Sequence, residues 1–293
     1  MPPAYALLLA ANCVYATSYV ATRLVLDDLP PAFLALVRLV GGAAILVPAA
    51  WLREGRGRRS GRADAWRIVW MGVFGFAGAF ALGNWGLARS TATNAALLII
   101  VEPVSIMLLG PVVLGERLAR REAIGAALAV LGAVVVVLNG VPGLTHALVP
   151  HWRGDLLLVL SGLAYGAYTL IGRDVLTRHS PFTVTARSIV WGALVMLPLA
   201  AAEWLGGARP TLTAGAVAGA LYLAVVITAL GYLLWNWALV RVGAPQAAVF
   251  ITVQPIGGAL LGILVLREPL TSFTVIGGVL IVAGLWLTVT GRD

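Results

Sequence analysis

Lysine is absent from the 293 residues, so all 20 basic side chains are arginine, and only 11% of the chain is charged. A soluble domain carries roughly 25% charged residues, so this composition excludes one. Cysteine occurs once, at Cys13, which excludes an intrachain disulfide and says nothing of the redox compartment. The three histidines, His146, His151 and His179, fall in links between apolar runs. No two of them can share a metal at mid-membrane depth, and neither a metal nor a cofactor is expected. HExxH and GxSxG are also missing, so the parts of a membrane enzyme are not there and the chain is not expected to be one. The start has no basic n-region and no small-residue cleavage site, so Tyr5 onward reads as a retained span rather than a signal peptide.

What is present is apolar surface: 60% hydrophobic residues and a mean hydropathy of +0.96. Runs of the length that crosses a ~30 Å hydrocarbon core can be drawn at approximately 5–26, 31–52, 66–88, 94–114, 121–138, 154–176, 182–205, 213–238, 245–266 and 272–290. The expected fold is therefore all-α and integral to the membrane, with ten transmembrane helices. Arginine orients it through the positive-inside rule. With the N-terminus inside, Arg53, Arg56, Arg58, Arg59, Arg62, Arg67, Arg117, Arg120, Arg121, Arg173, Arg178, Arg241 and Arg292 lie on the inner side. Arg23, Arg89, Arg153, Arg209 and Arg267 lie on the outer side, thirteen against five, so both termini are expected in the cytoplasm. The net charge of +8 is explained by this orientation signal and by contact with anionic lipid, not by nucleic acid.

The chain also repeats itself. At an offset of 152, Glu102-Pro103 falls on Gln254-Pro255, Glu116 on Glu268, Gly125 on Gly277, Gly132 on Gly284, and NWGLAR from Asn84 on NWALVR from Asn236. Earlier in the chain, Tyr15 meets Tyr165 at an offset of 150 and Arg38 meets Arg187 at 149. Two units are expected, residues 1–140 and 154–291, each of five spans. Because five is odd, the second unit enters from the opposite side, giving two inverted five-helix repeats.

Candidate site residues follow from polar groups that a span tolerates poorly. Asn12, Tyr15 and Tyr19 share one face of span 1, and Tyr165 and Tyr168 repeat it in span 6. Their hydroxyls need partners or water, so this face either bonds between packed helices or lines a cavity. Arg38 and Arg187 sit about 10 Å into spans 2 and 7 at 1.5 Å per residue. An arginine there costs on the order of 2.5–3.5 kcal/mol and marks function by default, unless it snorkels along its stem to the interface. Glu102 is the carboxylate deepest in any span and lies near the depth of Arg38, so the two are expected to pair. Pro103 and Pro255 are kink candidates that free carbonyls. Phe76 and Phe80 share a face of span 3, and Asn84-Trp85 recurs as Asn236-Trp237 after Tyr232 and Trp235. These tryptophans read either as interfacial belt or as structural and gating groups. Gln254 replaces Glu102 in the second unit. Glu116 and Glu268, at helix ends, could latch the two faces. Small residues at packing spacing in spans 5 and 10 suit scaffold contacts or a homodimer.

The patterns PPAFLALVR, VEPVSIMLLGPVVLGERL followed by GAALAVLG, and VQPIGGALLGILVLREPL followed by GGVLIVAG resemble those of EamA-type members of the drug/metabolite transporter superfamily. The resemblance covers nearly the whole chain and includes bacterial exporters of aromatic amino acids. It implies helices 1–4 and 6–9 around a central cavity, with 5 and 10 peripheral, and alternating access by rocking of the 3–4 and 8–9 pairs. It further implies export of amino acids or related metabolites across the bacterial inner membrane. The matching positions are Arg38, Glu102, Pro103, Glu116, Gln254, Pro255 and Glu268. Drug or lipophilic-cation efflux is the runner-up, and a channel or an enzyme stands far behind. An apolar cavity with Arg187 to hold a substrate carboxylate, and Asn12, Asn84, Asn236 and Gln254 for its amine or carbonyl groups, favours a neutral hydrophobic amino acid.

Overall fold

The computed structural model describes residues 3–54, 61–114, 119–141, 151–231, 234, 250 and 253–290. Among these residues the regular structure is helical throughout. The order is α1 (Pro3–Val25), α2 (Pro31–Glu54), α3 (Arg62–Leu87), α4 (Ala92–Leu98), α5 (Val101–Leu114), α6 (Arg120–Leu138), α7 (Trp152–Arg178), α8 (Pro181–Leu205), α9 (Ala214–Leu230), α10 (Val253–Leu266) and α11 (Ser272–Thr290). Seven helices or helix pairs are long and apolar enough to cross a membrane, and Ala214–Leu230, Val253–Leu266 and Ser272–Thr288 are shorter apolar helices. In hydrocarbon every backbone polar group must find its partner within the chain, which is why such runs become helices.

Short side chains set where helices begin. The Thr91 hydroxyl accepts from the Asn94 N–H at 3.0 Å, Thr213 does the same for Ala216 at 3.0 Å, and Ser180 precedes Pro181 at the head of α8. Two stretches depart from the α-helix: Gly72–Gly78 within α3 and Tyr222–Leu230 within α9 are π-helical.

Lipid tails are as apolar as leucine, so packing at small residues, not burial from water, holds such helices together. The tightest pair joins α6 to α11. A Cβ on Gly132 would come within 2.7 Å of the Gly277 carbonyl oxygen, and one on Gly125 within 2.6 Å of that of Gly284. The small-residue faces marked in the sequence for scaffold or homodimer contact thus meet each other inside one chain. Their opposite faces, with Val130, Leu131, Val134 and Val279, are exposed. Other close pairs are α2 with α8, α3 with α7, α1 with α10, α4 with α10, and α5 with α7. Both halves of the chain therefore contribute to each interface, and the helices enclose a cavity.

Candidate functional site

Pro103 shapes one wall. It has no N–H to give the Ile99 carbonyl, which instead takes the Glu102 N–H three residues on, at 3.1 Å. The helix breaks at Ile99-Ile100, between α4 and α5, and Glu102 lands in the first turn of α5. Across from it, α1 and α7 bring in the tyrosines that their spacing placed on one face. Three of these rings lie where the neighbouring helix has only hydrogen. A Cβ on Gly231 would meet the Tyr15 ring at 2.7 Å, one on Gly258 would meet Tyr19 at 2.8 Å, and one on Gly75 would collide with Tyr168.

The resulting cavity has a volume of about 630 Å³. Tyr15, Tyr19, Phe80, Tyr165 and Tyr168 line it, with Arg38, Asn84, Glu102, Pro103, Gln254 and Pro255. Towards the face that holds the start of α1 and the end of α11, it reaches Leu176, which is 39% exposed. Towards the other face its lining among the described residues includes Leu87, Ala95 and Leu158, all buried.

Arg38 is fixed from two sides: its Nε–H donates to Thr228 Oγ1 at 2.9 Å, and its guanidinium carbon lies 4.6 Å from the centre of the Phe80 ring. The expected Arg38–Glu102 pair is corrected: among the described residues no ion pair joins them, although both line one cavity. The Thr228 hydroxyl on α9 holds Arg38 instead.

Other expected residues lie behind the wall. Asn12 is fully buried and its Oδ1 accepts from Gln254 Nε2 at 2.8 Å, so it positions Gln254 without lining the cavity. Asn84 does line it, and donates one of its two amide N–H groups to the Pro31 carbonyl at 2.9 Å. Phe76 is 1% exposed and packs in the core against Phe80 and Tyr168. Arg187 is partly buried and is not among the residues lining the cavity. Trp235, Asn236 and Glu116 lie outside the described residues.

Trp85 belongs to the face opposite the chain ends. Its Nε1–H donates to Glu203 Oε1 at 2.6 Å, while Glu203 Oε2 accepts from the backbone N–H of Ala32 at 2.8 Å and of Phe33 at 3.3 Å. Glu268 does likewise for α4, accepting from Ala92 at 2.7 Å and Thr93 at 2.8 Å. Each carboxylate, from the second half of the chain, caps a helix N-terminus in the first, where orphan N–H groups and the helix dipole favour negative charge. Beside them Asp155, fully buried, is held by Asn94, His151 and Ser90. Glu203, Asp155 and Thr228 were not singled out by sequence. For Glu203 and Asp155 the only signal was a carboxylate near the end of an apolar run.

The sequence profile of the EamA-like transporter family matches residues 2–138 and again 152–290. Among relatives, an uncharacterized transporter of Archaeoglobus fulgidus is 29% identical over 284 residues, covering 96% of both chains. A probable terminal-alkyne amino-acid exporter of Streptantibioticus cattleyicolor is 29% identical, covering 93% of this chain and 89% of its own. A probable amino-acid metabolite efflux pump of Salmonella typhimurium is 29% identical over 67% of each. One solved crystal structure superposes with a TM-score of 0.66 at 19% identity, covering 99% of this chain and 97% of that one, a likeness of fold. Two profile matches that together span almost the entire chain, on an apolar helical bundle around a cavity, establish that this protein belongs to the EamA-like transporter family.

Proposed function

We propose that the protein is a secondary transporter that exports neutral, hydrophobic amino acids by alternating access. The observation that supports this reading is one cavity with aromatic walls whose lining, among the described residues, includes a cation, Arg38, and an anion, Glu102. A zwitterion satisfies both at once: its carboxylate goes to Arg38, its ammonium to Glu102, and its side chain to the tyrosine and phenylalanine rings. Arg38 takes the anchoring role that the sequence assigned to Arg187, because it is Arg38 that lines the cavity. The names borne by the Streptantibioticus and Salmonella relatives support amino acids or their metabolites as the substrate class.

Ten spans in two inverted five-helix units complete the reading, and the paired family matches support it. The arginine bias supports cytoplasmic termini in a bacterial inner membrane. On that orientation the cavity faces the cytoplasm, while the Glu203 and Glu268 caps shut the outer face. Substrate loads from inside, and release requires those caps to part.

Counterflow in proteoliposomes tests the substrate class. Labelled phenylalanine, leucine and methionine are expected to exchange, and phenethylamine, which lacks the carboxylate, to exchange poorly. Arg38→Gln should then raise KM for phenylalanine by roughly ten- to a hundredfold, the worth of a lost charge-assisted hydrogen bond of about 1.5–3 kcal/mol, with little effect on phenethylamine. Glu102 among aromatic rings would equally hold a lipophilic cation. If amines or quaternary cations are carried better than amino acids, drug efflux replaces this reading.

A further inference from the structure

Thr228 lies outside the cavity wall, is fully buried, and sits in the π-helical turn of α9. A threonine hydroxyl has one proton to give. Here it goes to the carbonyl of Leu223, five residues earlier, at 3.0 Å. The hydroxyl oxygen is thereby left as an acceptor, and it accepts the Nε–H of Arg38 at 2.9 Å. In an ordinary α-helix a threonine hydroxyl reaches the carbonyl three or four residues back. The wider turn moves the acceptor to the fifth residue, and with it the direction in which the hydroxyl oxygen faces α2. On the α2 side a glycine makes room: a Cβ on Gly42 would lie 2.7 Å from the Thr228 methyl. Phe80, two residues past the other π-helical stretch, covers the guanidinium face.

We propose that Thr228 is a specificity-determining positioning residue: its hydroxyl, polarised by the π-helical turn of α9, fixes the plane of the Arg38 guanidinium so that the transporter discriminates substrates bearing a carboxylate from those without one. The proposal rests on the reading of Arg38 as the carboxylate anchor. A guanidinium binds a carboxylate through a planar fork, so an angular error costs it more than it costs a point charge. An amine, which has no use for the fork, is indifferent to that angle.

The test is counterflow by the reconstituted full-length chain with phenylalanine and with phenethylamine, comparing the unmodified protein with Thr228→Val and Thr228→Ser. Valine keeps the shape and loses the hydroxyl, and serine keeps the hydroxyl. Thr228→Val is expected to raise KM for phenylalanine about tenfold and to leave that for phenethylamine within about twofold, a loss of one hydrogen bond to a charged group. Thr228→Ser is expected to restore most of the discrimination. Equal losses for both substrates, or a serine variant as impaired as valine, would mean that Thr228 only packs, and would overturn the proposal. A second measurement separates it from the substrate reading: the hydrogen-exchange rate of the Arg38 Nε–H by nitrogen-15 NMR, assigned by its loss in Arg38→Lys. Thr228→Val should speed that exchange severalfold whatever the substrate. Unchanged exchange overturns the positioning role. Faster exchange in a protein that carries no amino acid upholds the hold on Arg38 and sinks the substrate reading alone.

Discussion

A buried hydroxyl without a partner costs about 1–3 kcal/mol, and Ser188 has one: it is fully buried, and its oxygen finds no hydrogen bond among the described residues. Ser188→Ala is therefore expected to leave thermal stability in detergent unchanged or raise it by about 1 kcal/mol. A drop of several degrees would mean that the hydroxyl is used. Gly231 makes the opposite case. Its missing Cβ is what seats the Tyr15 ring, so Gly231→Ala should push that ring into the cavity and raise substrate KM severalfold. Gly215→Ala, with no neighbouring atom closer than 3.9 Å, should be silent, and equal effects of the two would refute the seating. The tyrosines were legible in the sequence because spacing of three and four fixes a shared helix face. Asn12, offered to the substrate, was misplaced for the complementary reason, and Phe76 and Trp85 could not be placed beyond their helix face and end. Sequence gives a residue's depth and face, whereas Gln254, the α2–α8 core and Glu203 decide which neighbour claims it.

Among the elements, the break before Glu102-Pro103 was legible from one proline. The π-helical stretches were not. GVFGFAG has three glycines and YLAVVITAL has none, yet they occupy matched places in α3 and α9, 150 residues apart by their first residues, Gly72 and Tyr222. Two such unlike sequences show no shared local signal for the wide turn, and π-turns of this kind gather at functional sites. The trans caps were half legible: Glu268 was marked as a latch, but the α4 N-terminus that it holds could not be known before the halves were brought together. Glu268→Gln keeps the shape and loses the charge, weakening two charge-assisted bonds. It should shift opening of that face by roughly tenfold or more, at about 1.5–3 kcal/mol per bond. Labelling of an Ala95→Cys probe by an impermeant thiol reagent from outside should accelerate to match. An unchanged rate would show that the cap does not gate. Glu203→Gln should act in the same direction, with Trp85 fluorescence changing as its Nε1 partner is lost.

At the scale of the molecule, composition and apolar run length were enough to read an all-helical bundle in a membrane, because uninterrupted apolar runs of about 20 residues in hydrocarbon satisfy their backbone within each run as helices. The repeat in the sequence was visible as fixed offsets, and the family profile matches twice, over residues 2–138 and 152–290. The route by which α6 reaches α11 was invisible, since small-residue stripes look alike whether they meet within a chain or between chains. Orientation is open to a direct test, and replacing Cys13, the sole cysteine, clears the background. Ala63→Cys should react with an impermeant reagent only after the membrane is permeabilised, and Ala208→Cys should react in intact cells. The reverse pattern would invert the topology. The α6–α11 contact also governs how the protein is made. Gly132 meets Gly277 and Ile281, about 150 residues later in the chain. At ~5–20 residues per second of synthesis, α6 waits on the order of ten seconds or more for the helix that fills its small-residue face. During that interval the nascent first half lies in the bilayer with an unfilled groove. A truncated or stalled chain would keep that groove open to another copy, so its misassembled form should be a dimer joined through the face that the finished protein keeps for itself.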